Sequence, residues 1–242
     1  MEPCGLASLL VGARTRRTHV ARSLGWRGIA YASGLTAIAG FVDGVAFIHF
    51  GGYFVSFMSG NSTRSSAGLA EGNVFEWAIA IGLVLSFVLG VAAATVASQV
   101  PSVHRRGAVL SVSSIFLLAS ALTTLGTARG IWTAVLMAMS MGAINATYTR
   151  RGEVTVGLTY MTGALVKMGQ HLAGALLGGP KGAWLPYGAL WGMITLGSFV
   201  GAFLYLQVGL LILWVAALAL VGWTIVAFVR DSPRWWNRES SS

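Results

Sequence analysis

The chain has 242 residues, of which 55% are apolar and only 10% charged, and its mean hydropathy is +0.73. Soluble domains carry about 25% charged residues, so a water-soluble globule is excluded, and disorder fails because disordered chains are poor in apolar residues. The net charge of +9 does not point to nucleic acid, because the basic residues sit in short clusters between long apolar runs, as flanks of membrane spans do.

The first 27 residues form a basic segment with Arg14, Arg16, Arg17, Arg22 and Arg27. No small-residue cleavage signal ends it, so an uncleaved first span is expected. Cys4 is the only cysteine, which removes intramolecular disulfides and cysteine metal clusters, and it reads as an idle thiol.

A spanning helix needs about 20 apolar residues. Six stretches meet that need, at 28–49, 74–99, 108–127, 130–148, 183–204 and 208–229, with the weakest boundary near Gln207 and Gly209. An alternating six-span path with a cytoplasmic N terminus puts Arg105, Arg106, Arg150, Arg151, Lys181, Arg230, Arg234 and Arg238 inside. Only Arg64 and Arg129 fall outside, a positive-inside pattern that also makes the tail 230–242 cytoplasmic. Trp26, Trp77, Trp132, Trp184, Trp235 and Trp236 near the span ends read as an aromatic belt.

Two polar-flecked segments remain, at 52–70 and 155–177. VSFMSGNSTR from Val55 aligns with LTYMTGALVK from Leu158 at a constant offset of 103 residues, and Asp43 falls close to Asn145 at almost the same offset. This pattern predicts a single membrane domain over 28–229 made of two related halves, 28–127 and 130–229. If the special segments re-enter without crossing, each half has three spans and the second is inverted relative to the first. If they cross, each half has four and the halves are parallel, but Arg105 and Arg106 then move outside, against the charge rule. The expected fold is therefore all-α and polytopic, with six spans as two inverted three-helix repeats, a plan recurrent in secondary transporters.

Asp43 is the sharpest single residue, since a carboxylate facing lipid in mid-span is costly. It reads either as an ion or proton relay or as a structural partner of Arg64 or of a helix end. Asn145 is an uncharged polar ligand or an interhelical bridge. Ser59, Gly60, Asn61, Ser62 and Thr63 can start and cap a helix. Arg64 and Lys167 read as selectors for an anionic solute or as cations snorkelling to the interface. His171 shares a helix face with Lys167 and admits a pH-sensing role, while interface positions explain His49 and His104.

Motifs for zinc proteases, nucleophile elbows and phosphate loops are missing from the sequence, so neither an enzyme nor ATP-driven transport is expected, and no cofactor is assigned.

GFVDGVAF from Gly40, FVSFMSGNSTR from Phe54, INATYTRRG from Ile144 and VGLTYMTGALVKMGQ from Val156 together resemble the YoaK-type bacterial integral membrane proteins, an uncharacterised family. The likeness runs from about Gly34 to Arg230. It carries over to Asp43, Ser59, Gly60, Asn61, Asn145, Arg150, Thr159, Tyr160, Thr162 and Gly163, with Gly44 and Ser59 replacing the usual Ala and Thr. The resemblance implies a multi-pass protein of the bacterial inner membrane and supplies no substrate. The residues favour a secondary transporter of an unidentified small solute, with Asp43, Ser59, Asn61, Arg64, Asn145, Tyr160, Thr162 and Lys167 around a central polar site. The alternative is a non-transporting scaffold or regulatory partner. The expected partners are the lipid bilayer and that solute, with no nucleic acid and with oligomeric state left open.

Overall fold

The structure, a computed structural model, describes residues 25–100, 104–126, 130–150, 153–154 and 157–230. Cys4, the arginines from Arg14 to Arg22, Arg129, Arg151, Arg234, Arg238, Trp235 and Trp236 lie outside the described residues.

The protein is all-α and polytopic. Helix α1 (Trp26–His49) ends at Gly51 and Gly52, whose φ of 68° and 91° suit glycine and stop the helix. A short helix α2 (Met58–Ala70) follows, then α3 (Val74–Ala97) and α4 (Arg105–Thr123). The Asn73 side chain accepts from the Glu76 backbone N–H at 3.2 Å and so opens α3. Helix α5 (Ile131–Asn145) runs into a 3-10 turn at Ala146–Tyr148 and a two-residue antiparallel ladder pairing Thr149 with Val154 and Arg150 with Glu153. Helices α6 (Met161–Leu176), α7 (Leu185–Val208) and α8 (Leu213–Arg230) complete the order.

Among the described residues, five helical runs are long and apolar enough to cross a membrane. The last, Leu185–Arg230, is 46 residues and is broken by the 3-10 turn Gly209–Ile212 between α7 and α8. The sequence places this break near Gln207 and Gly209, and the structure puts it there. At 1.5 Å per residue α2 and α6 reach only about 20 and 24 Å, short of the ~30 Å hydrocarbon core.

Direction follows from named contacts. A Cβ added at Gly40 or Gly44 would run into the carbonyl oxygens of Ile194 or Ser198, and one added at Gly197 or Gly201 into those of Ala37 or Phe41. Residue numbers therefore rise together along α1 and α7, and the helices are parallel. At the far end of α1, His49 Nδ1 lies 2.9 Å from the Tyr205 hydroxyl. The chain then reverses, because the Tyr31 hydroxyl near the start of α1 donates to Trp223 O at 3.0 Å while Trp223 Nε1 donates to Tyr31 O at 3.2 Å. Arg230 stands 5.8 Å from the Tyr31 ring and Arg106 5.4 Å from the Tyr148 ring, and Gly107 abuts Phe228, so these basic residues share one end of the bundle.

Helices α3 and α5 meet in the same way as α1 and α7. A Cβ at Gly90 would strike Met139 O, and one at Gly142 would strike Phe87 O. Lipid tails are as apolar as leucine, so helices in a bilayer associate through close backbone approach and polar contacts, and Cα–H···O contacts are a feature of such crossings. Hydroxyls supply the rest. Ser113 Oγ and Ser140 Oγ each donate to the other's backbone carbonyl at 2.8 Å, joining α4 to α5, and Ser114 pairs with Thr224 at 2.8 Å, joining α4 to α8. The apolar core is built from Leu35, Val42, Leu83, Leu117, Met141 and Leu220, all fully buried. Leu89, Phe199, Leu206 and Leu218 are exposed, as side chains that meet lipid are.

Candidate functional site

Each short helix is tied to the preceding long helix by one buried polar side chain. In the first case, Asp43 Oδ1 accepts the backbone N–H of Val55 and of Ser56, both at 2.8 Å, and its Oδ2 accepts the Ser56 hydroxyl. Asp43 is 8% exposed, and these donors replace the water its carboxylate gives up. Three donors on a short loop fix the chain where it turns into α2. In the second case, Asn145 Oδ1 accepts the backbone N–H and the hydroxyl of Thr159, both at 3.2 Å, while its Nδ2 donates to Met141 O at 2.8 Å. An amide, having donors of its own, spends one on its own helix; a carboxylate has none to spend.

Asn61 is fully buried and grips the same first loop, taking the Phe54 N–H at 3.0 Å and donating to Phe54 O at 2.6 Å. Its counterpart in the second segment is Ala164, which makes no such clasp. A Cβ at Gly60 would meet the Phe57 ring and one at Gly163 the Tyr160 ring, so the aromatic residue before each short helix folds over its glycine.

Asp43 and Arg64 do not pair. The Arg64 guanidinium lies 4.1 Å from the centre of the Tyr53 ring, and its Nε is buried with no hydrogen-bond partner. Lys167, at the matching place, is exposed, with Nζ 5.7 Å from the Tyr187 ring, on which His171 also stacks at 5.4 Å. Each segment thus sets its cation against a tyrosine. Ser59 and Thr162 are exposed and Tyr160 is 70% exposed, so these three lie on the surface of the described structure, while Asp43, Asn61 and Asn145 are inside, each held by neighbours within its own segment. His49 is taken up by Tyr205, and His104 lies 6.5 Å from the Phe228 ring.

Ser56 and Tyr53 are neighbours that sequence reading leaves out, while Thr159 enters there only through the family resemblance. Ser56 and Thr159 carry a signal all the same, because both are hydroxyl residues at the 103-residue offset.

A cavity of about 230 Å³ opens at the end of α1 where Phe50 and Tyr53 face the first turns of α3 and α5. Its lining is apolar apart from the tyrosine.

The chain is 35% identical over 222 residues to a UPF0700 transmembrane protein of Rhizobium meliloti, covering 92% of this chain and 95% of the relative. No solved structure matches it. Residues 31–226 match the model of the protein family of unknown function DUF1275, and with the relative just described this establishes that the chain belongs to the DUF1275/UPF0700 family of uncharacterised transmembrane proteins.

Proposed function

We propose that this is a secondary transporter of a small solute, built from two inverted three-span halves, 28–127 and 130–229, that rock against each other. The observation that carries the reading is the doubled glycine contact. Gly40 and Gly142 stand 102 residues apart, as do their neighbours Ala37 and Met139, while Gly90 and Gly197 stand 107 apart, as do Phe87 and Ile194. The first span of each half therefore grips the second span of the other through the same pair of contacts. That exchange supports a two-fold relation between halves, and with it the six-span path whose cytoplasmic end holds Arg106 and Arg230.

In this reading Asp43 carries proton coupling. A protonated carboxyl turns one oxygen into a donor, so the three donors from Val55 and Ser56 lose part of their acceptor, and the start of α2 is released. Asn61 and Asn145 are the polar ligands uncovered by that movement, Arg64 and Lys167 select for charge, and Ser59, Tyr160 and Thr162 meet the solute from the water side. A bacterial inner membrane location with both termini cytoplasmic belongs to the same reading.

The second reading, a scaffold that moves nothing, draws on the closure of the Asp43 and Asn145 contacts. Thermal stability of the purified protein against a solute library at pH near 5.5 and 7.5, followed by flux in liposomes, separates the two, because a ligand that binds the native state raises its stability. A stabilising solute that crosses in a pH-dependent way, with the dependence lost in D43N, is the expected result. Binding without flux leaves the scaffold.

A further inference from the structure

The cavity beside Tyr53 is framed by Phe50, Tyr53, Phe75, Ile79, Leu83 and Ala134. Its volume of about 230 Å³ exceeds the ~150 Å³ of an apolar cavity that stays dry and takes up benzene. It is too small for the paired long chains of a phospholipid. An apolar space of this size admits one short chain or one ring.

The tyrosine that lines this space also carries a cation on its ring. Arg64 lies against that ring at 4.1 Å, its Nε is buried without a partner, and no carboxylate among the described residues forms an ion pair with it. The acidic residues nearest in sequence, Glu71 in the turn after α2 and Glu76 in the first turn of α3, form no ion pair with it. A guanidinium presents a planar fork of donors matched to a carboxylate. An arginine stacked on a ring that also lines an apolar space, with no carboxylate of the described residues paired to it, is half of a recognition site for an amphipathic acid.

We propose that this cavity binds a free monocarboxylate bearing one short apolar chain or a single aromatic ring, with the chain among Phe75, Ile79 and Leu83 and the carboxylate on Arg64. The inference concerns binding alone, so it stands apart from transport. A solute library without any transported hit removes the transport reading and leaves this site in place.

The test uses the full chain in phosphatidylcholine nanodiscs, with octanoate as probe, octan-1-ol as its uncharged match and protein-free discs to subtract partitioning. Octanoate is expected to bind at least about tenfold more tightly than octan-1-ol, the scale of one charge-assisted contact. R64Q removes that preference, whereas R64K, which keeps the charge, retains part of it. A134L fills the cavity from its buried wall and weakens both probes; I131W, at a half-exposed rim residue, does so if A134L does not fold. Equal binding of the two probes, an unchanged preference in R64Q, or full binding in the filled variants overturns the proposal. So does loss of octanoate binding when phosphatidylglycerol is added to the disc, which assigns the site to membrane lipid.

Discussion

Asp43 and Ser56 are joined twice, once through the backbone N–H of Ser56 and once through its hydroxyl. The join holds the end of a membrane-length helix to the beginning of one too short to cross. Asp43→Ala leaves those two donors and the Val55 N–H inside the protein without an acceptor. Unpaired buried donors cost about 1–3 kcal/mol each, and partial entry of water lowers the sum, so D43A is expected to destabilise by about 2–4 kcal/mol. Asp43→Asn keeps an oxygen for the backbone donors, as Asn145 does for Thr159, and its loss is expected to stay near about 1 kcal/mol. Thermal unfolding of the two variants in one detergent checks the order; equal losses remove the anchoring role.

Glycines within a single helix are expected to answer oppositely. In α3, a Cβ at Gly90 would strike Met139 O, whereas at Gly82 nothing lies within 4 Å. Gly90→Ala forces α3 and α5 apart and should cost about 1–3 kcal/mol. Gly82→Ala relieves a helix-interior glycine and should be neutral or stabilising by up to about 1 kcal/mol. The pair Gly197 and Gly192 in α7 repeats the contrast. Unfolding midpoints of the four alanine variants decide the matter, and a shared sign within either helix counts against the contacts.

Asn61 carries the first loop's second clasp. Asn61→Ala strips the Phe54 N–H and C=O of their side-chain partners and is expected to cost about 2 kcal/mol. Loosening at the loop 52–57 should appear as faster amide hydrogen exchange there, with α4 and α8 unchanged.

The proposed six-span path assigns each loop to one side. With Cys4 replaced by serine, a single cysteine at exposed Glu71 should react with a membrane-impermeant maleimide from outside intact cells. A cysteine at exposed Lys181 should react only after permeabilisation. Labelling of both from one side is incompatible with re-entrant short helices.

Much of this architecture is legible in the residues themselves. Apolar run lengths locate the long helices to within a few positions, and the offset between VSFMSG and LTYMTG marks the two short ones. Where each polar side chain turns is less legible. Asp43 meets a loop thirteen positions on, a partner that helix periodicity does not reveal, and Arg64 settles on Tyr53 although opposite charge suggests Asp43. Gly40 and Gly90 look in sequence like Gly82; only the neighbouring helix tells them apart. Ser59, Tyr160 and Thr162 lie in or beside the two short helices with exposed side chains, because which face of a short helix turns inward depends on the helix packed against it.

Gly209 has one further consequence. Its φ of 67° and ψ of −155° lie in a region open almost solely to glycine. It separates two apolar helices that would otherwise form one rod of 46 residues, about 69 Å at 1.5 Å per residue and more than twice the ~30 Å hydrocarbon thickness. Within nearly unbroken apolar sequence the fold-back therefore rests on a break of a few residues, with Gly209 supplying the backbone conformation that makes it. A substitution there is felt in the connection between two spans, where no loop length is available to absorb the strain.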